Sequence, residues 1–253
     1  MIIVKTEEEI LKMKAAGEIL ADVHKEIAKM IKPGISTMDI DKFVEDYLEK
    51  RGAKPEQKGY HGYPYATCAS VNDEVCHGFP SERLLENGDI VTIDMVVNFD
   101  GWLADSAWSY GVGQVSEESQ KLLDITKKSL YIGIEKAVIG NRIGDISAAI
   151  QAFVEENGFS VVRDFVGHGI GKEMHEDPQV PHYGTAGRGA RLVEGMVLTI
   201  EPMVNVGTWR IKVDDNRWTA RTLDGKLSAQ YEHTLAITKE GPMIITDQGE
   251  ELE

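Results

Sequence analysis

The chain has 253 residues, enough for a sizeable core in one or two domains, and its hydrophobic fraction of 42% is that of a soluble globular protein. A formal net charge of -15 argues against broad nucleic-acid binding, which needs a basic footprint, although a local basic patch stays open. No apolar run is long enough to span a bilayer, and Met1-Ile2-Ile3-Val4-Lys5 lacks the pattern of a signal peptide. Two cysteines, Cys68 and Cys76, are too few for a disulfide framework, so a reducing cytoplasm is the expected compartment.

Thr6-Glu7-Glu8-Glu9 has the form of a capping box, and Ile10, Met13, Gly17, Leu20, Ile27 and Ile31 follow at helical spacing. Pro33-Gly34 ends that helix. Ser36 or Thr37 caps a second one, with Ile40, Phe43, Val44, Tyr47 and Leu48 as its buried face and Gly52 behind it. Residues 53–67, rich in Gly, Pro and Tyr, read as a loop. Alternation around Cys68 to Val75 predicts a strand leading into Cys76-His77-Gly78. Asp100-Gly101, between apolar runs, predicts a hairpin that sets Asp94 and Asp105 on facing strands. In the second half Ser116 caps a long helix, Gly140-Asn141 breaks it, and another helix ends at Gly158.

The two halves share one pattern. Residues 88–98 read Gly-Asp-Ile-Val-Thr-Ile-Asp-Met-Val-Val-Asn, and residues 195–205 read Gly-Met-Val-Leu-Thr-Ile-Glu-Pro-Met-Val-Asn. The strands match at a shift of 107 positions, which lays Asp94 on Glu201, and the preceding helices match at a shift of 106. Two long copies predict one domain built as an intramolecular pseudo-dimer, with halves at about 6–112 and 113–240 and the functional groups between them. A carboxylate inside an apolar strand is costly to bury unless something neutralises it, and a cation held between the halves would serve both copies. Asp94, Asp105, His168, Glu201 and Glu232 form the candidate set. Four clustered carboxylates match two divalent cations, and carboxylates with one imidazole suit manganese, iron, cobalt or zinc without selecting among them. Taken singly, any of these acids is equally a surface residue or half of a structural ion pair. The run Gly167-His168-Gly169-Ile170-Gly171 is neither a Rossmann fingerprint nor a P-loop, and His175-Glu176 has no second histidine at the zinc-protease spacing.

Taken together, Tyr60-His61-Gly62-Tyr63-Pro64, Val71-Asn72-Asp73-Glu74-Val75-Cys76-His77-Gly78, Asp94 with Asp105, Gly167 through His175, Thr199-Ile200-Glu201-Pro202, and Ser228-Ala229-Gln230-Tyr231-Glu232-His233-Thr234 resemble the type I methionine aminopeptidases in their short bacterial form. The resemblance covers the chain from near residue 6 to its end. It implies an α+β pita-bread fold, with pseudo-twofold halves, a central antiparallel sheet and outer helices. It implies that Asp94 chelates one metal, Asp105 and Glu232 bridge two, and His168 and Glu201 complete the second. Metal-activated water would attack the carbonyl of an N-terminal methionine, with Glu201 as proton shuttle. His175 would hold the carbonyl or oxyanion, and His77 would orient the scissile amide.

By the same resemblance Tyr60, Tyr63, Cys68, Met174 and Trp218 line the methionine pocket, although aromatics in a loop often simply pack. Met174 departs from the Phe that relatives often carry. A monovalent cation near Asn72, Glu74 and Ser228 is also implied. The expected partner is the N-terminal methionine of nascent chains with a small second residue. Ribosome association is an expectation from that substrate; direct nucleic-acid readout and membrane attachment are not expected, and the chain is expected to be a monomer. Prolidase and aminopeptidase P share the ligand set but usually carry a large N-terminal domain, and a pita-bread binding protein without catalysis would lack some ligands.

Overall fold

The structure, a computed structural model, describes residues 1–249. The first half contributes α1 (Glu7–Met30), α2 (Thr37–Glu49), β1 (Lys54–Pro55), β2 (Cys68–Val71), β3 (Glu74–Cys76), β4 (Ile90–Phe99) and β5 (Trp102–Gly111). The second contributes α3 (Glu117–Lys136), α4 (Ile143–Glu156), β6 (Ser160–Val161), β7 (Gly167–Gly169), β8 (Glu176–Val180), β9 (Val197–Ile200) and β10 (Met203–Asn205). It continues with β11 (Ile211–Val213), β12 (Ala220–Thr222), β13 (Ser228–Gln230), β14 (His233–Thr238) and β15 (Gly241–Ile244).

Local chemistry sets the helix starts. The Thr6 hydroxyl accepts from Glu9 N–H at 3.3 Å while the Glu9 carboxylate accepts from Thr6 N–H at 2.9 Å, a complete capping box. Of the two candidates for α2, Ser36 is the cap; its hydroxyl accepts from Asp39 N–H at 3.0 Å. Each helix pair covers one face of strands. Met13, Leu20 and Ile27 of α1 and Ile40, Val44 and Leu48 of α2 are buried with Ile93, Met95 and Leu103. Leu122 and Leu130 of α3 and Ile146 and Ile150 of α4 are buried with Leu198, Ile200 and Leu235.

At Gly17 the helix α1 lies directly on the chain. A Cβ there would stand 2.1 Å from the carbonyl oxygen of Ile245. Gly17→Ala therefore forces α1 off the segment after β15, and thermal melts should show a loss of about 2 kcal/mol, the usual cost of overpacking. This is the reverse of the gain in helix propensity that alanine brings to an open site.

The central hairpin is β4–β5, antiparallel from Ile90↔Gly111 to Phe99↔Trp102. Asp100 and Gly101 both take positive φ, 52° and 79°, as its two-residue turn requires. In the second half the equivalent ladder is interrupted. β9 pairs β14 up to Ile200↔His233, and β10 pairs β13 from Met203↔Gln230. Glu201-Pro202 on one side and Tyr231-Glu232 on the other fall in the gap, where Pro202 has no N–H to contribute.

One expectation is corrected. The strand predicted through Cys68 to Val75 is two strands, β2 and β3, joined at Asn72-Asp73. Asn72 takes φ 56°, which asparagine tolerates better than most residues. Within residues 53–67, β1 pairs with β4 and Tyr60–Gly62 form a single 3-10 turn.

Candidate active site

The halves meet edge to edge along β5 and the β13–β14 segment. Glu232 N–H donates to Ala107 carbonyl at 2.8 Å, and the Ser106 hydroxyl donates to Glu232 carbonyl at 2.9 Å. The Thr234 hydroxyl accepts from Asp105 N–H at 3.0 Å and donates to Asp105 carbonyl at 2.8 Å. This seam fixes the backbones of Asp105 and Glu232 and brings their carboxylates together. Asp94 on β4 and Glu201 in the interrupted ladder line the same cavity, of about 180 Å³, with Asp105, His168 and Glu232.

His168 sits on β7, between β8 and β9. The flanking glycines are required by that position: a Cβ at Gly167 would meet Thr199 carbonyl at 2.4 Å, and one at Gly169 would meet Asp177 carbonyl at 2.2 Å. The register shifts between His168 and Gly169, a bulge of the kind that re-aims a side chain beside an active site. His168 Nδ1 lies 2.9 Å from Gly169 carbonyl. A carbonyl only accepts, so the proton is on Nδ1 and Nε2 keeps its lone pair. That Nε2 lies 3.6 Å from Glu201 Oε1 and 3.8 Å from Asp105 Oδ2.

Three groups hold Glu201. Thr199 accepts from His168 N–H at 3.0 Å and donates to Glu201 Oε1 at 2.8 Å. The Gln230 amide donates to Oε2 at 3.4 Å. Glu201 N–H, which has no ladder partner, donates to Nε2 of the buried His182 at 3.0 Å. Gln57 does similar service for β4, accepting from Val96 N–H at 2.6 Å and donating to Asp94 carbonyl at 3.1 Å. Gln57, His182 and Gln230 were not identified from the sequence. Only Gln230 carried a signal there, as part of a quoted motif.

Every residue proposed for substrate contact also borders the cavity: Tyr60, Tyr63, Cys68, His77, Met174, His175 and Trp218, together with Phe165 and Met203. Tyr63 is buried, donates to Thr67 and Gly78 carbonyls at 2.9 and 3.2 Å, and packs edge-on against Trp218 with centroids 5.0 Å apart. His77 takes φ 56° and meets Phe165 edge-on at 5.2 Å. His175 lies against His168 with ring centroids 4.4 Å apart, and Tyr60 hydroxyl reaches its Nδ1 at 3.0 Å.

Burial pushes the Asp94 carboxyl well up. It does the same to Glu201, Asp105 and Glu232, with repulsion among the four adding to it. Burial also holds His77 and His168 down at about 4, so both are neutral. Asp105 Oδ1 and Glu232 Oε1 are buried without a hydrogen-bond partner. Asp105, His168 and Glu232 each offer a donor atom, all within 4.8 Å of one another. Two donors on one ion with bonds of about 2.1 Å stand at most about 4.2 Å apart. The spacings at His168 fit that limit and are too long for hydrogen bonds. Unpartnered oxygens, a neutral imidazole of the right tautomer and several acids forced together fit divalent metal, and among the described residues no Lys or Arg lines the cavity to neutralise them instead.

Such a centre, at the seam of two like halves with helices outside and sheet inside, is that of a metal-dependent hydrolase of the pita-bread fold. Residues 11–239 match the model of metallopeptidase family M24. The methionine aminopeptidase of Clostridium perfringens is 52% identical over 246 residues, which are 97% of this chain and 99% of that one. Methionine aminopeptidase 1 of Bacillus subtilis is 50% identical over 246 residues, with the same coverage. The crystal structure of methionine aminopeptidase from Thermotoga maritima superposes with a TM-score of 0.96 at 46% identity, covering 98% of this chain and 100% of that one. The chain belongs to metallopeptidase family M24 and, within it, to the methionine aminopeptidases.

Proposed function

We propose that Asp94, Asp105, His168, Glu201 and Glu232 hold two divalent ions, and that this cavity is where the family's reaction, hydrolytic removal of an N-terminal methionine, takes place. The observation that carries it is the convergence of these five groups at the seam, with two buried oxygens unpartnered. The ions, when bound, supply an activated water and polarise the scissile carbonyl. Glu201, held by Thr199 and Gln230, takes a proton from the water and passes it to the departing amine. His175 donates to the methionine carbonyl as negative charge develops on its oxygen. His77, neutral and set by its left-handed backbone, orients the scissile amide. Tyr60, Tyr63, Cys68, Met174 and Trp218 enclose the methionine side chain, and a small second residue fits the remaining space.

The chain works as one catalytic unit of two halves, at about 6–112 and 113–240, in the cytoplasm and as a monomer. Its substrates are nascent chains, and that favours action at the ribosome. Among the described residues, no helix is long and apolar enough to cross a membrane. A monovalent cation site near Asn72 and Ser228 is supported by two unpartnered buried oxygens, Ser228 Oγ and Asn205 Oδ1, on register-paired residues. The Glu74 side chain is already taken by Arg221, at 2.7 Å, and by Val71 N–H.

Protein purified without added metal should release methionine from Met-Ala-Ser once manganese, cobalt or iron is supplied, and should leave Xaa-Pro peptides intact. Asp94→Ala should abolish the release, by at least about a thousandfold. Turnover of Xaa-Pro instead would move the assignment to a proline-specific peptidase, and no turnover with any of the three metals would remove it.

A further inference from the structure

The loop of residues 57–63 is fixed at both ends to the strands that carry the chemistry. At one end Gln57 is bonded to β4 on either side of Asp94's neighbour Met95, through Asp94 carbonyl and Val96 N–H. At the other, Tyr63 hydroxyl donates to Gly78 carbonyl, next to His77. Between these anchors Gly59, His61 and Gly62 all take left-handed backbone, with φ 91°, 47° and 86°. For His61, which has a Cβ, this costs about 1 kcal/mol and persists only where the surroundings impose it. What the tight loop presents at its tip is Tyr60. Its ring is 4.3 Å from His61 and 5.6 Å from His175, and its hydroxyl is 3.0 Å from His175 Nδ1.

We propose that Tyr60 is a positioning residue for His175: its hydroxyl donates to Nδ1 and holds the imidazole in the tautomer that carries its proton on Nε2. A neutral imidazole has one N–H and one lone pair. To stabilise a developing oxyanion His175 must donate, and Nδ1 is already engaged by Tyr60. If the proton sat on Nδ1, facing the tyrosine oxygen, Nε2 would turn a lone pair toward the substrate oxygen and repel it. A phenol hydroxyl is a better donor than acceptor, so a tyrosine at the loop tip favours the form with Nδ1 bare, whereas a phenylalanine would supply the same wall and no preference. This assignment rests on the reading of His175 as the residue that holds the methionine carbonyl.

Zinc-loaded protein labelled with 15N in histidine should show His175 protonated at Nε2 and bare at Nδ1 in long-range 1H–15N spectra. In Tyr60→Phe the same resonances should move to a mixture of tautomers. On Met-Ala-Ser, Tyr60→Phe should lower kcat about tenfold and leave KM within about twofold, the pattern of an interaction realised in the transition state. A wild-type His175 carrying its proton on Nδ1 overturns the proposal without any variant. So does Tyr60→Phe with wild-type kcat, or with a lowered kcat and an unchanged tautomer. His175→Ala, assayed alongside, separates the two levels. Wild-type kcat in that variant defeats the reading of His175 itself; a large loss there beside an unimpaired Tyr60→Phe defeats only the role of Tyr60.

Discussion

Glu232→Gln should be inactive and, with metal removed from both proteins, should melt at a higher temperature than the wild type. The two expectations come from the same side chain. Glu232 is 1% exposed, and its Oε1 has no partner. Burial pushes its proton affinity up, and the charges of Asp105, Glu201 and Asp94 push it further. Without metal this is a buried acid among acids, held only because the seam fixes its backbone through Ala107 and Ser106. Glutamine keeps the shape, spares the folded state the cost of keeping protonated an acid that is ionised in the unfolded chain, and offers two donors to neighbours that are acceptors. Removing that cost gains about 2 kcal/mol, or about 5 °C for a chain of this size. The amide is, however, a poor ligand for a hard divalent ion, so metal content by elemental analysis should fall and turnover of Met-Ala-Ser should drop at least about a thousandfold. A variant that binds a full complement of metal and works normally would show that Glu232 is structural. One that is inactive and also less heat-stable without metal would show that the carboxylate belongs to a hydrogen-bond network instead.

How much of this could be read from residues alone depends on whether a feature has a period. The helices were legible because their apolar faces repeat and their caps are local: Thr6 with Glu9 and Ser116 with Ser119 act over three positions. The Asp100-Gly101 hairpin was legible because its turn demands residues that accept positive φ. Asp94 and Glu201 stood out because the chain repeats them in matching strands. The interruption of the second ladder was half visible, as Pro202, yet its consequence was not. With Glu201 N–H deprived of a strand partner, a buried imidazole from a separate segment, His182, must accept it. No pattern in sequence connects positions 182 and 201, and the same holds for Gln57 reaching β4 from a loop. Asn72-Asp73-Glu74 breaks the alternation of apolar and polar residues on either side of it, and the positive φ at Asn72 shows that the break is a turn between two strands. The resemblance supplied the roles of His77 and His175. Their surroundings, a left-handed backbone at one and a tyrosine hydroxyl on the other, come from the fold.

Lowering the pH should weaken the metal-loaded protein steeply and the metal-free protein hardly at all. His24, His182 and His233 are fully buried, and burial pulls them down to about 4, 3 and 3. An unfolded histidine titrates near 6.5. Between these values the unfolded chain binds more protons than the folded one, so this contribution to stability is complete above about 6.5 and is lost as the pH falls toward 4. Each such histidine contributes up to about 1.4 kcal/mol per pH unit, and three contribute about 4. The active-site acids have the opposite sign. Asp94, Asp105, Glu201 and Glu232 are all pushed above the ordinary carboxylate range, so without metal the folded state binds more protons than the unfolded chain above about pH 4. Their unfavourable contribution grows as the pH rises and offsets the histidines across the same window. In the proposed site, bound metal would keep these acids ionised and remove the offset. Urea unfolding at pH 7, 6 and 5 should therefore give a loss of about 4 kcal/mol or more for protein in excess manganese, and less than half of that after chelation. Parallel slopes in the two conditions would mean that the four acids are not the groups the metal neutralises.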